Sequence, residues 1–226
     1  MKTCLILTSH IEGSDFFQTI DPTAYDALIC ADAGLSRAEE LGWLGKVPTL
    51  LIGDYDSGRA PTALEREKAA GLVLLPSVKD VTDSEAAIDL AVERGFSRIR
   101  VLGGLGGRLD HTMGNLGLLA KYADDPRIEC LCFEDGQNRV TMKTPGTFRI
   151  ERSRFDYFGL IAYGGDVEGL SIARAKYELS GHTLTPDTTL GVSNEIGEDA
   201  PYAEVSFTSG RLLVIESKDE KKKDVS

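Results

Sequence analysis

The sequence has few cysteines and histidines, and this scarcity limits the metal and redox chemistry that it can carry. Its 226 residues include four cysteines and three histidines. Cys130 and Cys132 are two residues apart in a predicted strand and therefore lie on one face, but no further Cys or His pair nearby completes a zinc site. The pattern predicts reduced cysteines in apolar strands rather than a metal centre or a disulfide.

The sequence also lacks an excess of basic residues and any long apolar run. Lys and Arg number 25 against 36 Asp and Glu, which gives a formal net charge of -11. Nucleic acids and anionic membranes are bound by clustered basic residues, so neither is expected as a partner. No apolar run approaches the roughly 20 residues of a membrane-spanning helix, and the N-terminus leads directly into a predicted strand. We therefore expect a cytoplasmic protein.

Apolar strands alternate with helical segments over residues 1–137. This alternation is typical of a parallel sheet flanked by helices, so the fold class predicted here is α/β, with a Rossmann-like N-terminal domain. The best helix start is Thr82, where Glu85 three residues later predicts a capping box. The predicted strands are Cys4–Thr8, Ala27–Ala31, Thr49–Ile52, Leu72–Leu75, Ile99–Leu102 and Ile128–Phe133, and the predicted helices are Ser36–Leu41, Ala63–Ala70, Thr82–Arg94 and His111–Tyr122.

Over residues 138–217 the sequence changes to short β-rich pieces broken by Gly, Pro and Asp. This texture predicts a smaller, antiparallel β-sandwich domain, followed by a disordered charged tail at 218–226. Ala175–Leu179 is predicted to be a strand. Ala203–Phe207 and Leu212–Ile215 are predicted to pair as a hairpin.

An acidic cluster follows the third predicted strand. Asp54 and Asp56 lie two residues apart just past the strand end. Two such carboxylates can share a cation, and Mg²⁺ prefers these hard oxygens together with nucleotide phosphates. A polar turn between strand and helix is the alternative, because Asp, Gly and Ser are common turn residues.

A second acidic cluster follows the fourth predicted strand and begins a helix. Asp83 lies in the first helical turn, where the helix dipole stabilises a carboxylate. Helix capping alone explains Asp80 and Thr82, but it does not explain Lys79 beside them. The Lys79 ammonium is suited to an ATP phosphate.

A third cluster, rich in glycine, follows the fifth predicted strand. Four glycines between residues 103 and 107 let backbone amides approach an anion, and Arg108 adds a fork suited to phosphate. The segment is neither a Walker loop nor a dinucleotide fingerprint in its usual place. His111 is either a general base or a residue that braces the helix start. Asp32, after the second strand, is either a further site carboxylate or a helix N-cap.

Taken in order, these segments resemble the motifs of the thiamine pyrophosphokinase family in its bacterial form. The family pattern reads approximately Asp-Gly-Gly, Gly-Asp-Phe-Asp-Ser, Lys-Asp-x-Thr-Asp, Gly-Gly-x-Gly-Gly-Arg-x-Asp-His and Ser-Asn-Glu. The matching segments are 32–34, 53–57, 79–83, 103–111 and 193–195. Each motif by itself is only modest evidence for the family, but the ordered set is specific to it and extends over nearly the whole chain.

The resemblance implies an enzyme that transfers pyrophosphate from ATP to thiamine, giving thiamine diphosphate and AMP. It implies Mg²⁺ held by Asp54, Asp56 and Asp83, which act in catalysis with Arg108 and Asp110. It also implies thiamine contacts from Ser193 and Asn194 in the β domain, and a homodimer whose active site forms between subunits. The residues that the resemblance assigns to the nucleotide are Asp32, Lys79, Asp80, Thr82, Gly104, Gly107, Arg108 and His111.

The chain departs from the family pattern at two of these positions, and other functions use similar clusters. Ala33 replaces a glycine and Tyr55 replaces the usual residue between the two aspartates, but no carboxylate is lost. The alternatives are a Mg²⁺-dependent phosphatase or nucleotidyl transferase, and a catalytically silent sensor of thiamine or nucleotide. Retention of all three metal carboxylates argues against the sensor.

Overall fold

The computed structural model describes residues 1–8, 14–55, 60–76 and 80–219. The chain divides into two compact units, Met1–Gly136 and Gln137–Ser226. In the described ranges no helix is both long and apolar enough to cross a membrane. The four cysteines all lie in the described ranges, and none of them forms a disulfide.

The first unit contains a parallel sheet. Its strands are β1 (Thr3–Leu7), β2 (Ala27–Ala31), β3 (Thr49–Gly53), β4 (Gly71–Leu74), β5 (Arg98–Leu102) and β6 (Cys130–Glu134). Their order is β4-β3-β2-β1-β5-β6, and every pairing between these neighbours is parallel. β1, β2 and β3 are almost completely buried, as expected for apolar strands covered on both faces. The predicted α/β fold class is confirmed, and each strand lies within two residues of its predicted bounds.

The helices of this unit also match the predicted segments, with one short addition. They are α1 (Ser14–Gln18), α2 (Gly34–Glu40), α3 (Ala63–Lys68), α4 (Asp83–Glu93) and α5 (Leu109–Tyr122), with a 3₁₀ turn at Pro22–Ala24. α1 was not predicted, and α5 begins two residues before the predicted start at His111. α4 packs across β1, β2 and β3 as the chain passes from β4 to β5.

The strand order reverses direction between β1 and β5. The chain builds outward from β1 to β4 and then returns to the other side of β1 with β5. Thr8 joins the two strand ends, because its amide and its hydroxyl both donate to the Leu102 carbonyl, at 3.1 Å each. Open α/β sheets bind ligands at such a reversal, beyond the carboxyl ends of the strands. The glycine-rich segment after β5 begins at this point.

The second unit contains two antiparallel sheets that share a core. Its strands are β7 (Asn138–Lys143), β8 (Gly146–Glu151), β9 (Tyr157–Ala162), β10 (Val167–Ala173), β11 (Leu179–Leu184), β12 (Tyr202–Phe207) and β13 (Leu212–Ser217). One sheet has the order β7-β13-β9, and the other has the order β11-β10-β12-β8. Buried residues of both sheets, among them Phe158, Leu170 and Val205, form one apolar cluster. The predicted antiparallel sandwich is therefore confirmed.

The predicted hairpin between the last two strands is wrong. β12 pairs with β10 and β8, whereas β13 pairs with β7 and β9 in the other sheet. The link between them continues along β10, since Thr208 donates to the Glu168 carbonyl at 2.9 Å and Glu168 donates to the Ser209 carbonyl at 3.1 Å. The chain then crosses to the second sheet. Turn residues between two apolar runs indicate a change of direction but do not identify the partner strand.

Two further predictions for this unit need correction. Ala175–Leu179 is not a strand, because β10 ends at Ala173 and β11 begins at Leu179. The sequence analysis did not identify β7, β10 or β11, whose polar and glycine residues obscure the alternation. Lys218 and Asp219, assigned to the tail, have amides that donate to the Gln137 carbonyl and to the Asp156 carboxylate. Residues 220–226 lie outside the described ranges.

Candidate active site

Asp32 is the buried residue that directly follows β2. Its side chain is 2% exposed, and its backbone adopts a positive φ of 45°, which is uncommon for a residue other than glycine. Its amide donates to the Ile52 carbonyl on β3 at 2.8 Å. The alternative role as a helix N-cap is wrong, because α2 has Ala33 at that position and no side-chain cap. Asp32 therefore belongs to the carboxyl edge of the sheet.

The start of α2 explains why one glycine of the Asp-Gly-Gly pattern is kept and the other is replaced. A Cβ atom at Gly34 would lie 2.1 Å from the Leu7 carbonyl oxygen at the end of β1. Ala33 has an ordinary helical φ of -65°. A side chain is thus tolerated at residue 33 and excluded at residue 34.

The segment after β3 packs directly against Asp32. A Cβ atom at Gly53 would lie 3.1 Å from the Cα atom of Asp32, so only glycine lets the two strand ends approach this closely. Asp54 follows and is partly buried. Asp56, the other predicted metal ligand of this segment, lies outside the described residues.

Tyr55, beside Asp54, has a strained backbone and a buried hydroxyl. Its φ is 56°, and its ring packs in the apolar cluster that contains Cys30 and Leu102. Within the described chain its hydroxyl has no hydrogen-bond partner. Burial, reinforced by the nearby Cys30 and Asp32, raises the pKa of Tyr55 to about 12.

Charged residues on other segments of the site also affect the pKa of the Tyr55 hydroxyl. Asp83, at the start of α4, also raises the pKa of the Tyr55 hydroxyl, whereas Arg66 on α3 lowers it. Asp32, Asp83 and Arg66 therefore all lie within electrostatic range of one buried hydroxyl. The sequence analysis did not identify Arg66, because it belongs to an ordinary amphipathic helix pattern.

The start of α4 contains the second predicted cluster. The Thr82 hydroxyl accepts from the Glu85 amide at 3.2 Å and so caps the helix, and Asp83 is the first helical residue. Glu85 does not complete the predicted capping box, because its carboxylate pairs with Lys121 at 2.8 Å. Asp80 is exposed, and Lys79 lies outside the described residues.

The glycine-rich segment runs from the end of β5 to the start of α5. The Gly103 amide donates to the Glu134 carbonyl on β6 at 2.9 Å. Gly104, Gly106 and Gly107 all have positive φ values, of 77°, 119° and 67°. Residues that carry a side chain rarely adopt these positive φ values, which explains the repeated glycines.

Arg108 and Asp110 form a two-pronged ion pair at the helix start. The Arg108 Nε and Nη2 atoms lie 3.1 and 2.5 Å from the two Asp110 oxygens, and both side chains are exposed. Hydrogen bonding to Arg108 lowers the pKa of Asp110, which therefore stays ionised. His111 is also exposed, and its amide donates to Asp110 at 3.0 Å.

The predicted thiamine residues lie in the second unit. Ser193 is exposed and has a positive φ of 60°. Asn194 is 5% exposed, and its side-chain amide accepts from the amides of Tyr177 and Glu195 and donates to the Tyr177 carbonyl at 2.7 Å. The Asn194 side chain therefore holds the turn that presents Tyr177. The Ser193 hydroxyl is the group of this pair that faces solvent.

Acidic strand ends, a glycine-rich turn and a helix start at one edge of a parallel sheet define an α/β enzyme that handles phosphorylated ligands. Two family models match the chain: the thiamin pyrophosphokinase catalytic domain over residues 23–132, and the thiamin pyrophosphokinase vitamin B1 binding domain over residues 147–212. The chain belongs to the thiamin pyrophosphokinase family. This confirms the family, and with it the thiamine diphosphokinase activity, predicted from the sequence.

Individual relatives agree with this assignment. The thiamine pyrophosphokinase of Bacillus subtilis is 34% identical over 178 residues, which cover 77% of this chain and 81% of that protein. The crystal structure of the Bacillus subtilis enzyme has a TM-score of 0.79 at 29% identity and is matched over its whole chain and 96% of this one. A thiamin pyrophosphokinase family protein from Enterococcus faecalis has a TM-score of 0.81 at 27% identity, over 97% of this chain and all of its own.

Proposed function

We propose that the chain uses ATP as the pyrophosphate donor and binds its phosphates at the carboxyl edge of the parallel sheet. The observation that carries this proposal is the close packing of Gly53 against Asp32, 3.1 Å from a Cβ position to a backbone atom. This contact aligns the Asp54 segment with the end of β2. The glycine-rich segment follows β5 at the reversal of strand order, where sheets of this kind bind ligands.

The residues at this edge fit a magnesium ion by their chemistry. Mg²⁺ in nucleotide enzymes is held by one or two carboxylates together with substrate phosphates and water. Asp54 and Asp83 supply two carboxylates in the described ranges, and Asp56 would supply a third. The described residues contain no group of three or more His, Cys, Asp or Glu side chains that would hold a metal without a substrate.

The proposed reaction is an in-line displacement at the β-phosphorus of ATP. The thiamine hydroxyl oxygen bonds to that phosphorus, the bond from the phosphorus to the oxygen that bridges it to the α-phosphate breaks, and AMP leaves with the electron pair. The hydroxyl proton passes to a carboxylate or to water. Magnesium, when bound, neutralises charge on the phosphate oxygens. Arg108 and the amides of the glycine loop orient the phosphates, and such positioning supplies most of the acceleration in phosphoryl transfer.

We also propose that thiamine binds at Ser193 and Asn194 and that the chain acts as a homodimer. Large apolar side chains are exposed near the predicted site residues of each unit. Leu109 and Met113 are 73% and 53% exposed, and Tyr177, Leu190 and Val192 are 59%, 50% and 49% exposed. Exposed apolar surface of this kind marks interaction sites. Light scattering of the purified protein at micromolar concentration tests the dimer. The cytoplasmic location stays a prediction.

The reaction is tested by incubating the protein with magnesium, ATP and thiamine and quantifying the products. We expect AMP and thiamine diphosphate in equal amounts, whereas a phosphatase would release inorganic phosphate and a silent sensor would bind thiamine without AMP. Asp54→Asn and Asp83→Asn should each lower turnover by roughly a hundredfold or more, because an amide is a poor ligand for a hard cation.

Glu93→Gln is the matched control for these variants. Glu93 is exposed at the far end of α4, so its substitution makes the same change of charge in the helix that carries Asp83. Near-normal turnover of Asp54→Asn and Asp83→Asn at limiting magnesium would refute the metal assignment. A normal unfolding transition of both variants is needed to attribute the loss to the site.

A further inference from the structure

The glycine-rich segment between β5 and α5, residues 103–107, is called the glycine loop below. Two side chains of α5 that the motifs do not include form hydrogen bonds to it. Asn115 donates from Nδ2 to the Gly104 carbonyl at 2.9 Å. One turn earlier, the Thr112 hydroxyl accepts from the Gly106 amide at 3.0 Å and donates to the Gly106 carbonyl at 3.2 Å. Residues three apart lie on the same face of a helix, so both side chains point at the loop.

Asn115 fits against the loop without spare room. Its side chain is 6% exposed. A Cβ atom at Gly104 would lie 2.6 Å from the Asn115 Nδ2 atom and 3.2 Å from the Phe133 ring. The amide and the ring therefore fix the path of the loop from two sides, and a larger residue at position 104 would displace one of them.

We propose that Asn115 and Thr112 are positioning residues for the nucleotide phosphates. They hold the first part of the loop to α5, and this sets the direction of the part that follows, Gly107 and Arg108. The inference rests on the proposed ATP site. Both side chains bond to the loop backbone, so each acts through the loop that it holds.

The backbone groups of this short loop fall into two sets, those bonded to neighbouring elements and those without such bonds in the described chain. The amide and carbonyl of Gly106 are both bonded to Thr112, and the Gly103 amide is bonded to β6. The amides of Gly104 and Gly107 have no such partner among the described residues. The positions of these amides depend on the bonds made by their neighbours.

The test compares Asn115→Ala and Thr112→Val with the unmodified enzyme. Titration calorimetry with magnesium and an ATP analogue that has a methylene bridge between the α- and β-phosphorus measures nucleotide affinity without turnover. We expect each variant to raise the dissociation constant of the analogue by roughly tenfold, which corresponds to the loss of one or two hydrogen bonds. The KM for ATP should rise in parallel. The KM for thiamine, and kcat at saturating ATP, should stay within about twofold.

Lys121→Met is the matched control. Lys121 lies at the other end of α5, where it pairs with Glu85, so its loss weakens the helix without touching the loop. This control should lower the free energy of unfolding and leave analogue binding unchanged. Valine keeps the shape of threonine, so Thr112→Val provides a folded variant if Asn115→Ala is unstable.

Two results would overturn the proposal, and they are distinguishable. Normal analogue binding by Asn115→Ala or by Thr112→Val, or equal losses for both substrates in step with stability, would make the two residues purely structural. Failure of the unmodified enzyme to bind the analogue would refute the ATP site itself, and the positioning role with it.

Discussion

At the scale of single residues, three of the four strained backbone positions among the described residues other than glycine lie at or beside the candidate sites. In the described part of the chain, four residues other than glycine have a positive φ: Asp32, Tyr55, Arg174 and Ser193. Such conformations cost roughly 1 kcal/mol or more and persist where the surrounding structure enforces them. The motifs indicated Asp32 and Ser193 but not their backbone conformation, because strain arises from packing between distant segments.

Tyr55→Phe should increase the stability of the protein. The substitution removes a buried hydroxyl that has no hydrogen-bond partner among the described residues and keeps the ring in its apolar cluster. Removing an unsatisfied buried polar group should raise the free energy of unfolding by about 1 kcal/mol. Urea denaturation at pH 7.5 measures this change.

Tyr25→Phe makes the same chemical change at a hydroxyl that has a partner. The Tyr25 hydroxyl accepts from Arg100 Nη1 at 2.8 Å, and the Arg100 Nε atom is already buried with no partner among the described residues. The free energy of unfolding of this variant should fall by about 1 to 3 kcal/mol. Equal changes for the two variants would show that the Tyr55 hydroxyl is satisfied in solution.

At the scale of elements, two helices begin with the same Thr-x-x-Glu pattern and use it differently. Thr62 and Glu65 form a complete capping box at α3, and Glu65 is 3% exposed. Thr82 and Glu85 do not, because Lys121 on α5 binds the Glu85 carboxylate. Local sequence identifies both helix starts, but the competing partner is 36 residues away. For this reason the sequence analysis assigned the box to the wrong helix.

Thr62→Ala should therefore destabilise the protein more than Thr82→Ala. Thr62 loses a hydroxyl that donates to the buried Glu65 carboxylate at 2.7 Å and accepts from its amide. Thr82 loses a single bond to the Glu85 amide. We expect losses of about 2 and about 1 kcal/mol in the free energy of unfolding. Urea denaturation of the two variants side by side measures both, and the reverse order would contradict the assignment of the box.

The same contrast between local and distant information explains how much of the fold was predictable. The strands of the first unit were predicted well because buried parallel strands are continuous apolar runs, as in Ala27–Ala31. The carboxylates and glycines after these strands made Asp32, Asp54, Asp83 and the glycine-rich segment candidate site residues, and their role stays a prediction. Strand partners in the second unit depend on contacts between segments far apart in sequence. Asn115 and Arg66 in the first unit act on a loop and on Tyr55, eleven residues away in each case, through tertiary packing. Periodicity records neither kind of contact.

At the scale of the whole molecule, buried thiols make stability sensitive to alkaline pH. Burial raises the pKa of the Cys4 and Cys30 thiols well above their usual range, and Cys30 adds to the effect on Cys4. The unfolded chain releases these protons near pH 8.5, whereas the folded chain keeps them. The folded state thus binds more protons, so its stability is complete below about pH 8.5 and falls as pH rises further.

We expect the free energy of unfolding to fall by about 1.4 kcal/mol per pH unit for each such thiol above pH 9. Urea midpoints at pH 7.5, 9.0 and 10.0 measure the slope. Cys30→Ala should be less stable at pH 7.5 but should lose stability more slowly with rising pH. An unchanged slope in this variant would show that other groups control the alkaline limit.

The positions of β1 and β13 also bear on how the chain is made. β1 is hydrogen-bonded on both sides, to β2 and β5, so the sheet of the first unit grows outward from a strand that is synthesised before both of its partners. β13 is likewise central but is synthesised after both of its partners, and among the strands of the described chain it is the one that β9 pairs with. At a synthesis rate of roughly 5–20 residues per second, β13 is made several seconds after β9. A nascent chain that stalls before residue 212 would thus carry a finished first unit and an unpaired strand edge, the state that chaperones and proteases recognise.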